Sequence, residues 1–437
     1  MWRRGLSGMF LISWVVCAAA QTRLYINIDQ VGSHLLPLAI PKLMGETADP
    51  ELGRRIRTVL QHDLERSGLF RIVDPATYID EVPQALDHLN YQNWSASGAV
   101  AVVTGRLQFI SAGAQLKLEL VLHDVARQQR HFNGKEYVAP PGRYREMAHR
   151  FSDMVFQALT GNPGPFNTQV VCVTPHGAGR RGKDIILMDY DGHEVRQLVT
   201  DGSLNLAPVL SPDGLLLAYT SYRSGTPDLY IRNLLLGSET RITSEPGLAL
   251  AGSWSPNGRY LALSRTIDGN SDIHLYDTQQ KQLTRLTTYR GIDVSPSFAP
   301  DGRRLVFTSD RNGSPQLYLI DIRGGHPFRL TYEGRYNTSP TWSPQGDRIA
   351  FVGGAEDRSL NIYIIRSDGE RLHRLTSGGS DYESPTWSPN GHFVMFISRR
   401  GDTWQRYLAH HNVQEYYALP ARGPTCRSPR WVARTGF

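Results

Sequence analysis

The sequence predicts an N-terminal α/β domain followed by an all-β six-bladed β-propeller, and three observations carry that prediction. First, a large apolar residue recurs six times, at Leu210, Trp254, Phe298, Trp342, Trp387 and Trp431, with intervals of 44, 44, 44, 45 and 44 residues, and in five of the six a proline stands two residues before it. A period of roughly 40–50 residues with four strand-like segments inside it is the signature of one propeller blade. Second, an independent marker keeps the same register: the third strand of each repeat starts at Asp184, Asp228, Asp272, Gln316, Asn361 and Gln405. Third, residues 21–160 lack this repeat and mix helical with strand periodicity.

The elements follow in chain order. Arg3 and Arg4, an apolar run from Met9 to Val16 and the small residues Ala18, Ala19 and Ala20 have the form of a secretion signal, which places a signal peptide at 1–20. The N-terminal domain is expected over 21–162, opening with a strand from Arg23 to Ile28. Asp49 and Pro50 then start a helix, as N-cap acid and proline at the first helical position. Its apolar face is Leu52, Ile56, Val59, Leu60 and Leu64, and Gly68 stops it. Strands are expected at 70–73, 99–109, 116–123 and 130–138. A second amphipathic helix carries Tyr144, Met147, Phe151, Val155 and Leu159 and ends at the linker Gly161-Asn162-Pro163-Gly164-Pro165.

The propeller is expected over 163–437. In one repeat, Pro296-Ser297-Phe298 ends an inner strand, Pro300-Asp301-Gly302 turns the chain, and three further strands follow. The first repeat lacks an inner strand, while the last ends on one at Pro429-Arg430-Trp431. The C-terminal strand should therefore complete the first blade, which leaves no open edge between the two ends.

The formal charge of +6 is spread without runs, so nothing calls for a nucleic-acid partner. No stretch after the leader is long and apolar enough for a membrane span. The segment Gly177 to Lys183 matches two phosphate-binding patterns, but a strand-like run follows it, so no helix N-terminus is available to aim at a phosphate. Asp189-Tyr190-Asp191-Gly192 begins like a calcium loop and lacks the remaining ligands; a hairpin turn explains it better. His123 and Asp124 are strand neighbours that point to opposite faces. There is no Gly-x-Ser-x-Gly elbow and no His-Glu-x-x-His helix. No catalytic residue, metal or cofactor is assigned.

With these elements in place, the chain resembles the TolB family of Tol–Pal envelope components. The resemblance rests on the leader, the small α/β domain, the Met188-Asp189-Tyr190-Asp191-Gly192 turn and the repeated Trp-Ser-Pro-x-Gly blades at Trp254, Trp342 and Trp387. It implies a non-enzymatic periplasmic adaptor that binds the lipoprotein Pal at the propeller mouth and TolA through the mature N-terminal segment, serving outer-membrane integrity and cell division. By that resemblance the TolA segment would be Gln21, Thr22, Arg23, Leu24, Tyr25, Ile26, Asn27, Ile28 and Asp29. A short alternating segment at a free terminus can add as a strand to a partner's sheet edge, though it would equally serve as the domain's own first strand. For Pal, the expected contacts lie in the loops leading into each inner strand: Asn205, Leu248, Asp293, Asn337, Asp381 and Glu383. Asn and Asp at such positions can also serve their own turns. The rival classes are a secreted propeller enzyme, which would need a convergent acid–base cluster, and a carbohydrate binder, for which Tyr289, Tyr336 and Tyr382 would supply aromatic platforms.

Cys172 and Cys426 fall in the same closing blade. A bond between them would staple the ring in an oxidising compartment. Register sets Cys172 opposite Pro429, three residues from Cys426, beyond disulfide reach unless the chain bends; otherwise Cys172 is a small core residue.

Overall fold

The structure, a computed structural model, describes residues 35–132, 134–177, 182–354, 359–378, 380–401, 403–413, 415–420 and 423–435. The expected signal peptide, the strand at 23–28 and the segment from Gln21 to Asp29 lie outside these residues, as does most of the Gly-rich loop after Gly177.

The N-terminal domain is one sheet backed by two long helices. Helix α1, Pro50–Arg66, starts where Asp49 Oδ1 accepts the Leu52 N–H at 2.9 Å. Its apolar stripe, Leu52, Ile56, Val59, Leu60 and Leu64, is buried, and the chain leaves through Gly68 at φ 72°. A short helix α2, Tyr91–Ala96, absent from the sequence expectations, buries Trp94 against Tyr78. Helix α3, Tyr144–Thr160, ends on Gly161 in the left-handed region.

The sheet runs β2-β1-β3-β4-β5, with β6 also pairing β4. Here β1 is Leu36–Ala39, β2 Phe70–Ile72, β3 Ala101–Ile110, β4 Gln115–Asp124, β5 Gln129–Arg130 and β6 Lys135–Ala139. Strand β1 lies between β2 and β3, parallel to both, yet sequence reasoning passed over it. It is four residues long, contains Pro37 and stops just short of Pro41, and proline inside a short run argues against a central strand. The single strand expected at 130–138 is two short ones, because both share the long edge of β4.

Six four-stranded sheets form the propeller, and one of them is made from both ends of this domain: Arg427–Ala433 pairs antiparallel with Thr168–Pro175, the next strand of the same sheet being Lys183–Asp189. The blades are numbered here by their inner strands: Asn205–Leu210, Leu248–Trp254, Asp293–Phe298, Asn337–Trp342, Tyr382–Trp387 and Arg427–Ala433. In two blades the aromatic bonds back to its predecessor: Trp254 Nε1 donates to Val209 O at 3.2 Å and Trp387 Nε1 to Thr341 O at 3.0 Å. The third-strand marker is a buried polar knot. In blade 1, Asp228 accepts from Arg241 of the outer strand and from Thr243 just beyond it, while Thr243 Oγ1 accepts the Leu229 N–H. Blade 4 repeats it with Asn361, Arg374 and Thr376.

Each inner strand carries a bulge near its start, where the pairing register shifts by one residue. In five blades the residue before the proline is left-handed: Ala207, Ser295, Ser339, Ser384 and Ser428. In blade 2 the proline position is Gly252, where a Cβ would lie 2.6 Å from Pro296 of the next blade. The bulge also corrects the register argument on the cysteines. Arg430 pairs with Val171 but Arg427 with Val173, so the chain bends between them and joins Cys172 to Cys426 by a disulfide, with Cα atoms 5.5 Å apart.

Both domains share one core. Phe156 of α3 meets Phe393 of blade 5 with centroids 5.7 Å apart, and Phe166 leads through Tyr190 to Trp431, whose rings stack at 6.3 Å.

Candidate functional site

The inner strands start at one mouth of the central channel, called here the front, and end at the other, the rear. At the front, the bulge sorts two neighbouring register positions into different environments. Asn205, Ala249, Asp293, Asn337, Tyr382 and Cys426 are equivalent, and all are buried. Their side chains are committed locally. Asn205 Nδ2 donates to Lys183 O and Asp201 Oδ1, both at 2.9 Å. Asp293 takes two bonds from Arg311 at 3.0 Å, and Asn337 Nδ2 donates to Gln316 Oε1 at 2.9 Å and Glu333 O at 2.8 Å. Three of the expected contact residues, Asn205, Asp293 and Asn337, therefore hold their loops together and do not face solvent.

One residue further on, Leu206, Leu250, Val294, Thr338 and Glu383 are partly exposed and Arg427 is exposed. Glu383 is the one expected contact on this ring. Burial pushes its carboxyl above the ordinary glutamate range, against the pull of Arg427. One residue before the buried row, Leu248 is partly exposed, Ile292 and Tyr336 are exposed, and exposed Asp381 accepts the Leu360 N–H at 2.9 Å. The front mouth thus has an apolar arc on blades 1 to 4 (Leu206, Leu250, Ile292, Val294, Tyr336) and a charged sector on blades 5 and 6. Three of the expected contacts, Asn205, Asp293 and Asn337, stand three residues before the proline, whereas the partly exposed row stands two before it. The signal was present in the repeat as an apolar or charged residue at that position in five blades.

The aromatic platforms do not assemble. Tyr382 is buried with its hydroxyl 2.8 Å from that of Tyr416, Tyr289 sits under Arg311, and Tyr336 stands alone at the rim. His123 of the N-terminal sheet bonds Thr104 of β3 and Tyr91 of α2, while Asp124 takes the Arg127 N–H, so this adjacent pair does not cooperate.

At the rear, the Asp189-Tyr190-Asp191 turn is an interdomain joint, a role its sequence did not reveal. Tyr190 donates to Asp63 Oδ1 at 2.6 Å, and His149 Nδ1 lies 2.8 Å from Asp63 Oδ2, both fully inside the protein. Arg145 of α3 pairs with Asp191, and Arg434 joins Asp189 and Asn167, each at 2.7 Å. Burial pushes the His149 pKa down, but Asp63 and Asp191 outweigh it and leave it above the ordinary histidine value. Burial pushes Asp189 up; for Asp191 the same penalty is overcome by His149 and Arg145, which hold it down.

Two groups among the described residues bring three metal-type ligands within 4.8 Å of one another: His149 with Asp189 and Asp191, and His392 with His410 and His411. In the first, Arg145 and Arg434 already bring positive charge to the carboxylates. In the second, burial keeps His410 and His411 neutral, and the Asn412 N–H faces His410 Nδ1 at 3.3 Å. The ring proton of His410 then sits on Nε2, and its Nδ1 lone pair is already used by that N–H.

These features define a class: a six-bladed propeller closed by its own C-terminal strand, with an α/β domain fused to its rear through a shared core. The chain belongs to the TolB family, residues 156–435 matching the TolB beta propeller domain and residues 24–131 the TolB amino-terminal domain. It is similar to the Tol-Pal system protein TolB of Roseobacter denitrificans, 36% identical over 244 residues covering 55% of each chain. Against that of Paramagnetospirillum magneticum it is 36% identical over 232 residues, covering 52% of this chain and 51% of the relative. The match therefore spans about half the length of these curated relatives. Among solved structures, TolB from Acinetobacter baumannii superposes with a TM-score of 0.81 at 29% identity, covering 92% of this chain and 97% of that one.

Proposed function

We propose that the chain is a non-enzymatic, protein-binding adaptor of the Tol–Pal system, working in the periplasm. It docks the lipoprotein Pal on the front mouth and TolA through the segment from Gln21 to Asp29, in support of outer-membrane integrity and constriction during division. The observation that carries the Pal half is the front mouth itself, an apolar arc beside the Glu383 and Arg427 sector, ringed by loops whose buried Asn and Asp residues hold it in shape. A preformed apolar patch rimmed by charge is what a protein partner recognises. Family membership supports the same reading.

Titrating the soluble domain of Pal against the immobilised mature protein tests it. Leu206→Glu and Leu250→Glu should each weaken binding by about tenfold or more, which is about 1.4 kcal/mol. Unchanged affinity in both, or no binding by the unaltered chain, would overturn the assignment of the mouth. Deleting Gln21 to Asp29 should abolish TolA capture and leave Pal affinity in place.

A further inference from the structure

The channel carries a second constellation, deeper than the front mouth. Immediately before each blade's aromatic or leucine marker stand Val209, Ser253, Ser297, Thr341, Thr386 and Arg430, one per blade, and all of them line a cavity of about 460 Å³. Five are neutral and the sixth is a cation. Arg430 makes no ion pair or hydrogen bond with any described residue, and burial lowers its pKa. The neighbouring Arg434, by contrast, is paired with Asp189. The one carboxylate among the described lining residues, Asp213, is held in its own turn, where it accepts the Ser211 hydroxyl and the Leu215 N–H.

Three hydroxyls of this ring are polarised in a common sense. Ser253 Oγ accepts the Phe298 N–H at 2.8 Å, Ser297 Oγ the Trp342 N–H at 3.0 Å, and Thr386 Oγ1 the Trp431 N–H at 3.0 Å. An oxygen that accepts a backbone N–H keeps its own O–H to donate. No hydrogen bond among the described residues uses those three protons. Arg430 is partly withdrawn from water, which disfavours a guanidinium without a counter-charge, and its fork of donors matches a planar or tetrahedral oxyanion.

We propose that this ring is an anion-binding site, in which Arg430 supplies the charge and the hydroxyls of Ser253, Ser297 and Thr386 supply further donors to a small oxyanion, carboxylate or phosphate in chemistry. The site is independent of the Pal and TolA assignments, since it needs neither the front-mouth ring nor the N-terminal segment.

Trp254, Trp387 and Trp431 line the same cavity and report on it. At constant ionic strength, inorganic phosphate and a blocked Asp-Asp dipeptide are titrated separately while intrinsic fluorescence and binding heat are followed. Saturation by phosphate identifies a free anion as the natural occupant, and saturation by the dipeptide identifies a side-chain carboxylate of a protein; either supports the site. Arg430→Gln should weaken the saturating probe by at least tenfold, and Arg430→Lys should retain part of the affinity. Thermal melting shows that both variants fold, with Arg430→Gln expected to melt no lower than the unaltered protein because an unpaired cation is removed. Absence of saturation by both probes, or equal affinity in Arg430→Gln, would overturn the proposal.

Discussion

His149 shows how single residues here are governed by their surroundings. It is fully buried, and burial alone would leave it neutral, but Asp63 at 2.8 Å and the nearby Asp191 favour the imidazolium. Arg145 and Tyr190 are the other polar groups packed against it. A histidine whose folded pKa is raised contributes stability that is fully present below its unfolded value, near 6.5, and is lost as pH rises through the folded value. The melting temperature should therefore fall as pH is raised from about 6 upward, and His149→Gln should flatten that slope; an unchanged slope in the variant would place the proton elsewhere. Asn337 makes the complementary case. Its amide satisfies Gln316 Oε1 and Glu333 O inside the protein, so Asn337→Ala should cost about 1–3 kcal/mol in denaturant unfolding. Pal affinity measured on the folded fraction should not change.

At the scale of the element, the bulge at the start of each inner strand decides what the front mouth presents. Side chains on a strand alternate, and one inserted residue reverses the alternation beyond it. That is why Asn205, Asp293 and Asn337 turn inward while Leu206, Val294 and Thr338 are partly exposed. The sequence does not advertise the bulge. Serine and alanine are ordinary residues with no preference for the left-handed region, yet Ser295, Ser339 and Ser384 adopt it because the pairing on either side demands it. Ser295→Gly should be neutral or slightly stabilising, whereas Ser295→Val should cost about 1–3 kcal/mol. Equilibrium unfolding of the pair compares the two directly, and equal stabilities would mean that the strain is absent. The short strand Leu36–Ala39 escaped notice for a similar reason: its place in the sheet is set by neighbours on both sides, not by its proline-containing sequence.

For the whole molecule, closure is the governing event. The strand Arg427–Ala433 completes the blade that Thr168–Pro175 begins, and the bond from Cys172 to Cys426 locks two points that are 254 residues apart in sequence. A cross-link over so long a loop restricts the unfolded chain, so reduction or Cys172→Ala with Cys426→Ala should lower stability by about 2–5 kcal/mol. The strand pairing should remain, leaving the far-ultraviolet circular dichroism unchanged below the transition. Equal denaturation midpoints with and without reductant would show that the bond adds nothing. Because Phe156, Phe166, Tyr190, Phe393 and Trp431 form one core across the two domains, the joint at Asp191 and Arg145 is part of that same unit and not a hinge laid over it.

By itself the sequence determined the number of blades, their register, the order of their strands and the closure by the C-terminus, because each of these is written as a repeated spacing of prolines, aromatics and third-strand acids or amides. It also determined both long helices, through capping residues and a single apolar face. Only the tertiary structure decided which side chains the front mouth exposes, how Cys426 reaches Cys172, and that Asp189, Tyr190 and Asp191 join the two domains. The physical reason is common to all three: a bulge, a bend and a shared core depend on contacts between segments far apart in the chain, and local spacing carries no record of them.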